Sequence, residues 1–228
     1  MEQKTYQIKG FPMIKFQSRK HLESLQNGLV YANTLHYYRE LEKQTGDATI
    51  GDSFDGLFHV NEGIVKIPET GEEFVLNDQL IETSASNDYV FCMFGIPANT
   101  EQFQFSDEQR EHMKSFGDSA LIILDSDEFK KRVTEAAKAK GYDVHFGKVN
   151  YIDSSIDYAN VLISMQQGIW NVAFWKRIMY EYQKECRFIF SPGKAGVDHL
   201  ELLIGDISDI SVIVSAESAL TSIINKRH

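Results

Sequence analysis

Gln183 and Glu185 stand two residues apart, where the polar run Tyr180-Glu181-Tyr182 gives way to the apolar run Cys186-Arg187-Phe188-Ile189-Phe190. In extended chain a spacing of two sends both side chains to the same side of a sheet. A carboxylate and a carboxamide aimed together at one point can orient a sugar hydroxyl and stabilise positive charge developing at an anomeric carbon. The plainer reading is a strand edge on which Glu185 pairs with Arg187. Two other segments are candidates for the same site. One is Lys15-Phe16-Gln17-Ser18, followed by Gly28-Leu29-Val30-Tyr31; the other is the small, polar Ser84-Ala85-Ser86-Asn87.

These segments need elements to position them. Phe11 to Phe16 reads as a first strand, and His21 to Gln26 as a short helix stopped by Asn27-Gly28. Leu29 to Asn33 reads as a strand, after which Thr34 caps a helix running through Leu41. A turn-rich loop from Thr45 to Gly56 follows, in which Asp47, Asp52 and Asp55 read as exposed turn formers beside glycines. Leu57 to Leu76 suggests a hairpin turning at Glu69-Thr70-Gly71. Tyr89 to Ile96 is almost wholly apolar, the mark of a buried central strand. Ser106 caps a helix to Phe116, Ala120 to Leu124 is a second buried strand, and Ser126 caps a helix to Lys140 that stops at Gly141. Val144 to Ile152 reads as a strand, and Tyr158 to Gln167 and Phe174 to Tyr182 as helices. After the Glu185 strand comes a loop with Pro192, Gly193 and Gly196, then strands at Leu200 to Ile204 and Ile210 to Val214. Trp170, Phe174 and Trp175 read as core packing under the late helix. With no repeat and no low-complexity linker, the expectation is one α+β domain over residues 1–228, rich in antiparallel strands with short inserted helices.

Composition narrows the chemistry. A net charge of −10 argues against general attraction to phosphate backbones, although Lys176, Arg177, Lys184 and Arg187 cluster locally. The 15 Phe and 10 Tyr provide for a sizeable core. Cys92 and Cys186 sit in apolar runs, where buried free thiols are the default. The seven histidines show no zinc-ligand spacing, and there is no glycine-rich phosphate loop. No signal peptide or long apolar span is visible, so a cytoplasmic chain that does not enter the membrane is expected. A metal-dependent nuclease using Asp52, Asp55 and Asp125 with Lys184 stays open as a third reading.

The order of these segments resembles the ADP-ribosyltransferase superfamily. Leu25-Gln26-Asn27-Gly28-Leu29 has the shape of its strand–helix–strand opening, and Ser84-Ala85-Ser86 is similar to its Ser-x-Ser. Gln183 to Phe190, Ser191-Pro192-Gly193 and Leu200 to Ile204 follow the layout of its toxin-like branch. A closer resemblance is to phage and prophage proteins of unassigned function. It rests on Gly28 to Tyr31, Tyr37-Tyr38-Arg39 to Glu42, Gly51-Asp52-Ser53-Phe54-Asp55-Gly56 and Tyr180 to Arg187; bacterial toxins that ADP-ribosylate RNA in phage defence look like the nearest relatives with an assigned role. The resemblance implies NAD as substrate, an RNA, nucleobase or protein acceptor, and a neutralising antitoxin protein. It casts Glu185 as the catalytic carboxylate and Gln183 as the acceptor-site residue, with Tyr31, Tyr38, Arg39, Ser86 and Gln17 in the NAD cleft. Where the family grips NAD with a first-strand arginine or histidine, this chain has Lys15, Phe16, Gln17 and Ser18, leaving Arg19 or Arg39 as substitutes. That departure keeps alive a catalytically inactive, phage-type module that binds a host protein.

Overall fold

The computed structural model describes residues 6–46, 51–96, 102–153, 159–192 and 198–225. Asp47, Tyr158, Gly193 and Gly196, named above, lie outside the described residues. In chain order the elements are β1 (Met13–Gln17), α1 (Arg19–Gln26), β2 (Leu29–Thr34), α2 (Leu35–Thr45), β3 (Leu57–Lys66), β4 (Glu73–Glu82) and β5 (Tyr89–Gly95). Next come β6 (Gln102–Phe103), α3 (Asp107–Met113), β7 (Ser119–Ile123), α4 (Ser126–Ala139), β8 (Tyr142–Lys148), β9 (Asn150–Ile152) and α5 (Ala159–Met165). The last are β10 (Trp175–Arg177), β11 (Glu185–Pro192), β12 (His199–Leu203), β13 (Ser211–Ser215), α6 (Ala216–Thr221) and β14 (Ile224–Asn225). This is a mixed fold of antiparallel sheets and several helices, and no helix among the described residues is long and apolar enough to cross a membrane.

The main sheet divides at β5. One edge of β5 pairs along its length with β11, from Phe94 opposite Glu185 to Tyr89 opposite Phe190. The other edge is shared: its N-terminal end pairs with β2 through Asn33↔Val90 and Thr34↔Tyr89, and its C-terminal end with β1 through Met13↔Gly95 and Ile14↔Phe94. β12 continues the β2 wing, β7 and β13 continue the β1 wing, and β8 flanks β11. Between the wings the carbonyl of Cys92 accepts from the Lys15 ammonium at 2.7 Å, so a side chain satisfies a ladder group that neither strand reaches.

Strand alternation builds the layers. Phe91, Met93, Cys186, Phe188, Leu121, Val30 and Leu202 face one side, where Leu22, Leu25, Phe129 and Val133 of α1 and α4 cover them. The opposite face splits into two smaller cores. Ile14, Phe16 and Phe94 pack with Phe105, Met113 and Leu220, whereas Val90 and Ile189 pack with Leu35, Ala173 and Phe174. Gly28 shows why the helix stop must be glycine: at φ +98° an added Cβ would lie 2.3 Å from the Gly205 carbonyl oxygen.

Several expectations are corrected. The segment Phe174 to Tyr182 is not a helix: 3-10 turns at Ile169–Phe174 and Ile178–Gln183 flank β10. Trp170, Phe174 and Trp175 do pack against the smaller cores, as expected, though under no late helix; Trp170 stacks on His145 with centroids 3.7 Å apart, and the Trp175 indole donates to Ser164. The cap of α4 is Asp125, which accepts from the Glu128 amide at 3.1 Å. Ser126 instead accepts from the Phe11 amide and donates to the Lys9 carbonyl, pinning the N-terminal segment to the helix. Val144 to Ile152 breaks into β8 and β9 at Val149, whose amide still bonds the Glu185 carbonyl opposite it across the β8–β11 ladder.

Candidate functional site

Glu185 begins β11 and is held from every side. Its amide donates to the Tyr151 hydroxyl at 2.8 Å, its carbonyl accepts from Val149, and the preceding carbonyl of Lys184 accepts from Gly95. Lys184 itself has φ +41° and ψ +46°, left-handed backbone that costs a residue with a Cβ about 1–2 kcal/mol. Its amide closes the preceding turn on the Glu181 carbonyl and its ammonium pairs with the Glu181 carboxylate. Gln183 therefore does not share an extended strand with Glu185, as simple alternation predicts. A left-handed residue between them, in place of strand alternation, sets their relation.

Both side chains meet on Lys176. Its ammonium donates to Gln183 Oε1 and to Glu185 Oε1, each at 2.7 Å, above the Tyr180 ring at 4.4 Å. The other Glu185 oxygen accepts from Arg187 Nε at 2.7 Å. Arg187 is 1% exposed; its remaining nitrogens form a fork on Asp55 at 2.8 and 2.7 Å and reach the Ala173 carbonyl. Burial alone would raise the Glu185 pKa, but Arg187 and Lys176 outweigh it and hold the carboxyl well below the usual carboxylate range. Burial lowers Lys176, and the carboxylates led by Glu185 more than reverse this, keeping it charged.

The loop expected to be exposed is one wall of this cluster. Asp52 and Asp55 are 1% and 4% exposed. Asp52 accepts from Arg177 at 2.8 Å and from the Phe54 amide at 3.0 Å, and burial followed by the Asp55 charge pushes its pKa up. Arg39 is buried as well, not solvated on its helix: it donates to the Asp55 carbonyl, to Ser86 Oγ and to Glu82. Arg39 and Ser86 are thus brought together, on the Asp55 side of the cluster.

On the other side of Glu185 lies a small, open hollow of about 60 Å³, below the usual size of small-molecule sites. It opens where the two smaller cores part, and its walls include Lys15, Phe16, Cys92, Met113, Gln183 and Glu185. Burial lowers the Lys15 pKa, and its ammonium also lies 4.9 Å from the Phe91 ring centre. Tyr38 packs beside Cys92 in the neighbouring core, bonded to the Asn33 side chain. Gln17 ends β1 opposite Ser119 and is not part of the lining. Tyr31 is 46% exposed on the β2 wing, stacked on His199 at 4.8 Å, and is not part of the hollow's lining. Cys92 and Cys186 are free thiols. Among the described residues no group of three His, Cys, Asp or Glu side chains could hold a metal ion. Asp125, the nuclease candidate, serves as a helix cap paired with Lys9.

Sequence reasoning missed Lys176 and Asp55 as parts of the site; the pairing of Glu185 with Arg187 was read and is present, but buried and not at an exposed strand edge. One signal was available: a lysine and a carboxylate embedded in otherwise apolar or glycine-rich runs, where an unpaired charge is too costly to bury. Compared with protein-family models, curated proteins and solved structures, the chain finds no match.

Proposed function

We propose that the chain is an NAD-dependent ADP-ribosyltransferase, with an ADP-ribosyltransferase-like fold and Glu185 as its catalytic carboxylate. One observation carries the reading: Glu185 is fixed in its ionised form at the wall of a hollow, beside Gln183, where the sheet divides. Bound NAD would supply the ribose carbon, whose bond to nicotinamide breaks with the electron pair leaving on the nicotinamide. A fixed anion is what a positively charged, oxocarbenium-like ribose requires, and each Glu185 oxygen retains a lone pair for a ribose hydroxyl. Because Lys176 can only donate, it takes the Gln183 carbonyl oxygen, and the amide NH2 donates to the Tyr182 hydroxyl at 3.2 Å. The acceptor nucleophile bonds the ribose carbon and releases its proton to solvent, since a carboxyl held this far below its usual range is a poor base. Apolar walls from Phe16, Met113 and Phe116 suit a flat ring, and the nearby Lys15 charge suits a diphosphate. The hollow would take only a small part of the dinucleotide, with the remainder lying outside it.

Under the same proposal the protein is a toxin or anti-phage effector, modifying RNA, a nucleobase or a protein and neutralised by an antitoxin. These roles rest on the sequence resemblance alone. A second reading, an inactive module that binds a host protein, is favoured by one feature: Lys176 and Arg187 already occupy both Glu185 oxygens. Incubation with labelled NAD and total RNA or lysate separates the two. We expect wild-type labelling to fall at least a hundredfold in Glu185→Gln; equal labelling by both, or none from folded protein across all acceptors, removes the enzyme.

A further inference from the structure

We propose that Asp55 is a positioning residue for Glu185 that acts through Arg187, so that the turn after α2 sets the carboxylate at the hollow. The inference deepens the transferase reading, on which its kinetic readout alone depends. Asp55 never touches Glu185. It accepts both terminal nitrogens of Arg187, a planar bidentate grip that fixes the guanidinium in rotation as well as position. With those nitrogens fixed, Nε has a single direction to point, and Glu185 Oε2 lies along it at 2.7 Å. The Ala173 carbonyl closes the remaining freedom on one side.

Asp55 is in turn immobilised. Arg39 holds its carbonyl, its amide bonds to the Asp52 carbonyl, and the Ser53 amide donates to Glu42 of α2. A chain of buried polar contacts thus runs from α2 through the Gly51–Gly56 turn to β11. The nearby Asp52 provides the contrast. It has the same chemistry, the same turn and equal burial, yet its partner is Arg177, which touches neither Glu185 nor Gln183.

The test compares Asp55→Asn with Asp52→Asn in the full chain. Hydrogen exchange at the Arg187 Nε–H, followed by NMR, reads the bond to Glu185 without any turnover. We expect Asp55→Asn to speed that exchange at least tenfold while the β11 backbone amides keep their protection, and Asp52→Asn to leave it within twofold. With labelled NAD, Asp55→Asn should lower kcat at least thirtyfold and change KM less than threefold, with partial recovery in Asp55→Glu. Equal exchange in the two Asn variants would reduce Asp55 to a loop-folding residue and overturn the proposal, as would unchanged Arg187 exchange in folded Asp55→Asn. If Asp55→Asn does not fold, Asp55→Ser, which lacks the carboxylate, carries the comparison, and a wild-type exchange rate there overturns the proposal too. Absence of labelling by wild type removes the transferase and leaves the exchange result to decide the coupling.

Discussion

Replacing Lys176 by Met removes the one ammonium shared by Gln183 and Glu185. The shape of the side chain is nearly kept, so the loss is electrostatic. Around Glu185 three buried carboxylates, Asp52, Asp55 and Glu185, face three cations, Lys176, Arg177 and Arg187. The substitution leaves this cluster one negative charge in excess and deprives two acceptors of a partner. Each lost charge-assisted hydrogen bond is worth about 1.5–3 kcal/mol, and breaking a buried pair from one side costs about 3–5 kcal/mol. A destabilisation of about 3–5 kcal/mol is therefore expected by urea unfolding at pH 7. Glu185→Gln tips the balance the other way and should cost about as much. The double variant restores neutrality, so its cost should fall short of the sum by about 2 kcal/mol or more. Agreement with additivity to within about 0.5 kcal/mol would mean that Lys176 and Glu185 do not share a bond, and the site described above would be wrong at its centre.

Three further outcomes follow from other parts of the molecule. Asp88, 5% exposed beside β5, has its pKa raised to about 6 by burial, against a hydrogen bond to Ser191. Its folded form holds the proton more tightly than the unfolded form, so stability falls as pH rises from about 4 to 6; Asp88→Asn should gain up to about 3 kcal/mol at pH 7.5 by urea unfolding and nothing at pH 3.5. Burial pushes Cys92 up to about 12 and drives Cys186 upward as well, so native protein at pH 8 should alkylate at least a hundredfold more slowly than denatured protein, followed by mass spectrometry. Gly28→Ala forces a Cβ against the Gly205 carbonyl at a positive φ and should cost about 2 kcal/mol or more, a loss of several degrees in Tm.

The sequence-level reading works where structure is local and periodic, and fails where distant charges meet. Tyr89 to Gly95 is legible as the central strand because nearly every position is apolar, and the strand is indeed paired along both edges. Thr34 and Ser106 are legible as caps because a hydroxyl at that position bonds an amide three residues on, at 3.1 Å in each case. Asp125 displaced Ser126 as the cap of α4 because two adjacent cap formers compete and the serine was needed by Lys9 and Phe11. Around Glu185 the contrast is sharper. Gln183 and Glu185 are visible as a pair, but Lys176 looks like one more helix charge while Phe174 to Tyr182 is read as helical. Asp52 and Asp55 look like solvent-facing turn residues because glycines flank them. Only the fold brings that turn to Arg187, 132 positions away, and no local pattern encodes such a meeting.

The shared edge of β5 also bears on how the chain acquires its shape. Residues 13–17 and 29–34 are made early, yet the strand that joins them ends at Gly95, and the partner on its far side starts only at Glu185. Neither early strand can close its ladder against β5 while the ribosome has yet to deliver residues 89–95, and loop closure over such spans slows folding. Nascent fragments ending before Tyr89 should therefore leave these two strands protease-sensitive, each waiting for a common template.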